Sequence, residues 1–315
     1  MLLKIFSIPH MTDIYCDVID NYGDIAFAIK LINTYVAEKK EKKFRFFCNN
    51  KILYDRFSKN ISPEAIIHYI SLENITLTPP ASKIINLFER KIDYTFLESF
   101  DFPIYLIHFS YFSLEPYKSP LSPGIQAWHG KISEHKNLTI ENFWVSLLPA
   151  TGGIFSEKAY LSEIFSRKYF IENYWLPPNK KWISVFCYPE TLNYLEKENF
   201  FKAASDMMFI TFPKHDIHWE NICKLPFLSM QEYYSLLQHC HGNIVRGENS
   251  LVSALESSAP FFWDIYKESN DAHIQKIEDF ANYLTHTWYS EELIKAQLEG
   301  NIERNYERVR KIFTI

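Results

Sequence analysis

Short apolar runs alternate with longer segments of helical period along this chain, and the alternation starts twice. In the first half, residues 13–19, 44–48, 65–70, 103–107 and 143–148 read as strands, and 25–37, 51–58 and 81–91 carry helical patterns. Ile25, Ala28, Ile29, Ile32 and Tyr35 make the first of these clearest, because that spacing puts them on one face of a helix. A polar, Pro-rich stretch, Leu176-Pro177-Pro178-Asn179-Lys180-Lys181, interrupts the pattern. Strands are then expected at 182–187, 207–211, 243–245 and 260–263, with helices at 190–204, 230–238, 250–257 and 301–313. The boundary is placed there, giving domains 1–178 and 179–300, with the segment 301–315 packing back on the first. Strand–helix alternation in both halves predicts two α/β domains with parallel sheets. Such sheets bind ligands beyond the carboxyl ends of their strands, so functional residues are sought just after each strand.

Length and charge narrow the function. A chain of 315 residues suits two domains of about 100–200 residues each. Its net charge of -5 argues against a general nucleic-acid binder, which carries a basic face. The 5 cysteines show no C-x-x-C spacing, which fits a reducing cytoplasm better than a disulfide framework. No apolar run reaches the roughly 18–20 residues of a membrane span, and the start does not read as a signal peptide. Glycine is scarce, and neither G-x-G-x-x-G nor a Walker A loop occurs.

Two motifs sit at strand exits. Asp17-Val18-Ile19-Asp20-Asn21-Tyr22-Gly23-Asp24 follows the first strand. A carboxylate there could act as general base; equally, Asp20 could cap a turn and Asp24 the helix. Asn243-Ile244-Val245-Arg246-Gly247-Glu248-Asn249-Ser250 holds the matching place in the second half. Free N–H groups at a helix start bind anions, and Arg246 adds a planar cation suited to phosphate oxygens. Glu248 would repel an anion and points to a sugar hydroxyl or a cation; an Arg–Glu pair on a capped helix is the plainer alternative. His239-Cys240-His241 and His215-x-x-His218 lack a zinc-ligand set and read as helix-end and loop residues.

Taken together, D-V-I-D-N-Y-G-D-I at 17–25, L-P-F-L at 225–228, I-V-R-G-E-N-S at 244–250, P-F-F-W-D-I-Y at 260–266 and D-A-H-I-Q-K at 271–276 resemble one family. It is that of the protein-arginine rhamnosyltransferases of the EarP type, which modify translation elongation factor P. Thr151-Gly152-Gly153 and the stretch 110–115 are also similar. The resemblance implies a GT-B fold, two Rossmann-like domains facing across a cleft. It implies dTDP-β-L-rhamnose as donor, held mainly by the C-terminal domain, an arginine of elongation factor P as acceptor, inversion at the anomeric carbon, and no metal or other cofactor. By position, Asp24 resembles the general base, Asp20 its neighbour and Glu248 an essential acid. Arg246, Asn249 and Ser250 match the diphosphate loop, Phe227 and Tyr266 the thymidine contacts, and Tyr188 a donor-side tyrosine. Asn249 stands where the family has Asp, Ala26 where it has Gly, and Met230 where Gln is common. The other readings are a GT-B enzyme with a different donor or acceptor, a silent sugar-nucleotide-binding homologue, and a metal-dependent hydrolase built on the paired aspartates.

Overall fold

Thr12–Cys16 forms the first strand, β1, and all five of its residues are buried. Burial on both faces requires neighbours on both sides, and the computed structural model supplies them. It describes residues 11–19, 22–38, 41–88, 90–113, 127–129, 133–146, 164–202, 206–212 and 219–265, with parts of 273–313. The remaining strands of the first unit are β2 (Lys43–Cys48), β3 (Ile66–Ser71), β4 (Lys83–Leu87), β5 (Ile104–Ser113), β6 (Ala127–His129), β7 (Ser133–His135) and β8 (Leu138–Ser146). Its helices are α1 (Tyr22–Ala37), α2 (Lys51–Phe57) and α3 (Tyr94–Glu98). The strand order is β3-β2-β1-β4-β5-β8-β6, with β7 also paired to β8. β1 to β5 and β8 run parallel, and β6 and β7 are antiparallel to β8.

The second unit begins with α4 (Arg167–Tyr174) and continues through β9 (Lys181–Val185), α5 (Pro189–Lys197), β10 (Met207–Thr211), β11 (Ile222–Lys224), α6 (Met230–His239), β12 (Gly242–Arg246), α7 (Gly247–Glu256) and β13 (Phe261–Asp264). Its 5 strands are all parallel, in the order β11-β10-β9-β12-β13. Each sheet therefore winds outward one way, then the other. The order reverses between β1 and β4 in the first sheet and between β9 and β12 in the second. Ligands bind doubly wound sheets in the crevice at that reversal.

Three expectations need correcting. The segment 81–91 is not a helix: its centre is β4, in which Ile84, Ile85, Asn86 and Leu87 are all buried. A parallel strand covered on both faces loses its alternation and is easily read as another period. The domain boundary does not fall at 178/179, because α4 belongs to the second unit. Phe170 on α4 packs in one apolar cluster with Leu176, Trp182 and Leu236, and Arg167 stacks on Trp182 at 3.6 Å. Nor do the described residues of 301–315 return to the first domain. Val309 and Phe313 are buried in the second unit's core beside Ile183, Phe209, Ile244 and Phe262. Phe313 fits because residue 242 is glycine: a Cβ there would lie 2.2 Å from the ring.

Candidate functional site: two strand-exit crevices

In the first unit the chain leaves β1 and turns into α1 at the D-N-Y-G-D motif. Asp24 lies in the first turn of α1, where a carboxylate is favoured by the helix dipole, and is 1% exposed. Its Oδ2 accepts the Ile19 amide at 2.7 Å, which ties the loop back on itself. The donor precedes α1, so this bond ties the loop to the helix and is not the helix cap that the spacing allowed. Asn49, just past β2, braces the same loop. Its Oδ1 accepts the Val18 amide at 2.9 Å, and its Nδ2 donates to Asp17 at 2.5 Å. Asn49 drew no notice in the sequence, since a lone Asn after a strand reads as a turn. Asp20 lies outside the described residues, as do Tyr266, Thr151-Gly152-Gly153, His215 and His218.

In the second unit Arg246 ends β12. Its Cζ sits 4.5 Å from the Phe186 ring centre and 5.1 Å from that of Tyr188, and its Nη1 donates to the Cys187 carbonyl at 3.3 Å. Phe186 to Tyr188 are the residues that leave β9. The guanidinium therefore bridges the two strands at the reversal of this sheet. Gly247 follows in a left-handed conformation, φ 64°, which favours glycine. No side chain of the N-cap residue closes the start of α7, a helix of 10 residues, so its first N–H groups suit an anion. Glu248 lies in this first turn. Ser250 donates its hydroxyl to the Arg246 carbonyl within the helix and shares it with Gly247 at 3.4 Å. Asn249, the next residue in from Glu248, accepts the Ser253 hydroxyl on its carbonyl at 3.2 Å.

Two further devices hold this crevice. Asp264, at the end of β13, accepts the Tyr188 amide at 2.7 Å and the Thr191 hydroxyl at 2.8 Å, fixing the loop after β9 to the strand beyond β12. Phe227 sits half-buried just before α6, whose start is locked by a capping box. Ser229 Oγ accepts the Glu232 amide at 3.1 Å, and Glu232 Oε2 accepts the Ser229 amide at 2.8 Å. Burial works against the Glu232 carboxylate, but hydrogen bonds from Tyr174, Ser229 and Tyr169 outweigh it and hold the group below the usual carboxylate range. Phe186 and Asp264 were not singled out in the sequence. P-F-F-W-D reads as a buried strand, and nothing in it marks the aspartate as the anchor of a distant tyrosine. His239, set aside as a metal ligand, bonds the Phe165 carbonyl through its ring at 2.8 Å.

The model of the family described as elongation-factor P (EF-P) rhamnosyltransferase EarP matches residues 12–311. A protein-arginine rhamnosyltransferase of Pseudomonas putida is 25% identical over 312 residues, covering 86% of this chain and 81% of the relative. One of Pseudomonas aeruginosa is 22% identical, covering 85% and 80%. Among solved structures, a Listeria monocytogenes protein assigned as a UDP-N-acetylglucosamine 2-epimerase superposes with a TM-score of 0.53 at 10% identity, covering 98% of this chain and 91% of that one. This likeness shows the fold, the GT-B type of two parallel-sheet α/β domains. With the family match, the molecule is a glycosyltransferase of that type. More narrowly, the chain belongs to the EarP family.

Proposed function

We propose that this enzyme transfers L-rhamnose from dTDP-β-L-rhamnose to an arginine side chain of translation elongation factor P, with inversion at the anomeric carbon. The observation that carries the donor side is the Arg246 stack beside the start of α7, which the N-cap side chain does not close. A leaving nucleoside diphosphate gains negative charge as the glycosidic C–O bond breaks. A planar cation and fixed N–H dipoles, already in place, are what stabilise such charge without reorganisation. No divalent ion is needed for that task. Phe227 and Tyr266 take the thymine, Tyr188 the donor sugar side, and Asn249 and Ser250 complete the diphosphate loop.

The acceptor poses the harder problem. A guanidinium has a pKa above about 12 and delocalised lone pairs, so it is a poor nucleophile. Asp24, with Asp20 of the same motif, holds the guanidinium fork, and Asp24 takes the proton as the new C–N bond forms and dTDP departs. The Ile19 amide, donated to Oδ2, holds this carboxylate in place. Glu248 supports the sugar, to which an acid beside an anion loop is better suited than to phosphate.

The test is mass spectrometry of elongation factor P after incubation with the enzyme and dTDP-rhamnose. One rhamnosyl group on one arginine is expected. Transfer from a different nucleotide sugar only, or to no protein acceptor at all, would sink the reading.

A further inference from the structure

A cavity lies in the first unit, apart from the β1–α1 turn. It measures about 240 Å³ and sits over Tyr15 of β1, beneath the 3-10 turn Leu72–Leu77 that follows β3 and the segment that follows β4. Its apolar wall includes Leu72, Ile75, Ile92 and Phe96, and its charged residues are Arg90, Lys91, Glu73 and Asp93. The two acids are engaged locally. Asp93 caps α3 by accepting the Phe96 amide at 3.2 Å, and Glu73 accepts the Ser71 hydroxyl at 3.1 Å. The two cations are not: among the described residues neither forms an ion pair, and Arg90 Nη1 is buried with no acceptor. Buried guanidinium N–H groups without acceptors are rare because the desolvation goes uncompensated.

The fold goes to some length to hold Arg90 there. Phe88, the residue after β4, is left-handed at φ 59°, a strained conformation for a bulky side chain. The Arg90 carbonyl accepts Asn86 Nδ2 at 2.9 Å; Asn86 Nδ2 also meets His108 Nδ1 at 2.8 Å, and His108 Nε2 meets the Tyr94 hydroxyl at 3.1 Å. Asn86 is fully buried on β4, so a polar chain joins β4, β5 and α3 to set this one loop. Strain and buried polar networks of this kind collect where a loop has work to do. The loop leaves β4, and the D-N-Y-G-D loop leaves β1; these are the two exits at the sheet's reversal.

We propose that Arg90, assisted by Lys91, binds a carboxylate side chain of the protein acceptor, in a pocket separate from the aspartates that take the reactive guanidinium. This rests on the acceptor reading of the first domain given above. Size favours a single side chain: pockets for whole small-molecule ligands span roughly 300–1,000 Å³, which a nucleotide sugar requires and this cavity does not reach. A guanidinium fork matches a carboxylate bidentately, and the apolar wall suits the methylenes that carry it. Diphosphate recognition already has its own cation and helix start in the second unit.

The experiment uses the full chain, elongation factor P as acceptor, and the variants Arg90→Gln and Arg90→Lys. Losing a charge-assisted bond worth about 1.5–3 kcal/mol corresponds to roughly 10–100-fold, so Arg90→Gln should raise the KM for elongation factor P by that factor. Its kcat at saturating acceptor and its calorimetric affinity for dTDP-rhamnose should stay near wild type. Arg90→Lys, which keeps the charge and loses the fork, should fall between. Replacing the acceptor's own Asp and Glu residues one at a time by Asn and Gln should reveal one that reproduces the loss and adds nothing to Arg90→Gln. An unchanged acceptor KM in a folded Arg90→Gln, or a loss confined to donor affinity, overturns the proposal; if Arg90→Gln does not fold, wild-type acceptor KM in Arg90→Lys and in Lys91→Gln does so. If the wild-type enzyme neither binds nor modifies elongation factor P, the functional reading itself fails, and that is seen before any variant is made.

Discussion

Asp24 and Arg246 hold corresponding places, each where its chain passes from a strand beside the sheet's reversal into a helix, yet their chemistry is opposite. In the proposed mechanism the buried acid accepts a proton and the stacked cation receives an anion. Their variants should therefore fail differently. Asp24→Asn keeps the shape and can still accept the Ile19 amide, but cannot take a proton. Transfer should fall by about 10²–10⁴-fold while donor binding persists. Arg246→Ala should weaken dTDP-rhamnose binding by roughly 10–100-fold and leave residual turnover at high donor concentration. Donor titration and rhamnosylation rate on both variants check this, and near-normal transfer by Asp24→Asn would reduce the residue to holding the loop through Ile19. If Arg246 and α7 supply the positive charge, as proposed, turnover should also survive a strong chelator. Loss of activity restored by magnesium would instead favour the metal-dependent alternative.

Elements explain why the sites hold still. At the opposite end of β1 from the motif, Asp13 is fully buried and receives Arg45 of β2 through two bonds, 2.6 and 2.7 Å, plus the Ala81 amide at 2.8 Å. Burial raises the Asp13 pKa against the pull of Arg45 and Ala81. Breaking such a pair strands a charge, so Arg45→Met should cost about 3–5 kcal/mol in chemical denaturation. In that variant the folded pKa of Asp13 rises further above its unfolded value. The folded state then binds the extra proton, and stability should fall as pH rises through that interval. How much of this was legible depends on what each residue touches. Strand–helix alternation depends on local period, and it placed β1, β2, β10 and both motif loops near their observed positions. β4 was misread because its burial on both faces hides its period. Arg90 was missed with it, since the loop gains meaning only when β4 lies beside β1. Asp264 and Phe186 were invisible for a related reason: their partners lie far away in sequence, at Tyr188 and Arg246.

At the scale of the whole molecule, each of the two units carries its own parallel sheet and its own apolar core. Val309 and Phe313, expected to return to the first, instead complete the second. Phe313→Ala should lower the stability of the second unit by about 3–5 kcal/mol and leave the first unchanged. Gly242→Ala should do likewise from the other side of the contact, by forcing the ring off β12. Differential hydrogen exchange on β1 and β12 would separate these outcomes, and equal loss in both units would contradict the assignment. The seat at Gly242 also sets an order of events on the ribosome. Domains fold as units from the N-terminus during synthesis, and every strand of the first sheet is made before β9 begins. The second sheet must wait: β12 emerges with a hollow shaped for a ring that is translated only at residue 313. A nascent chain stalled short of that point should carry a protease-resistant first domain joined to a second that is still readily cut.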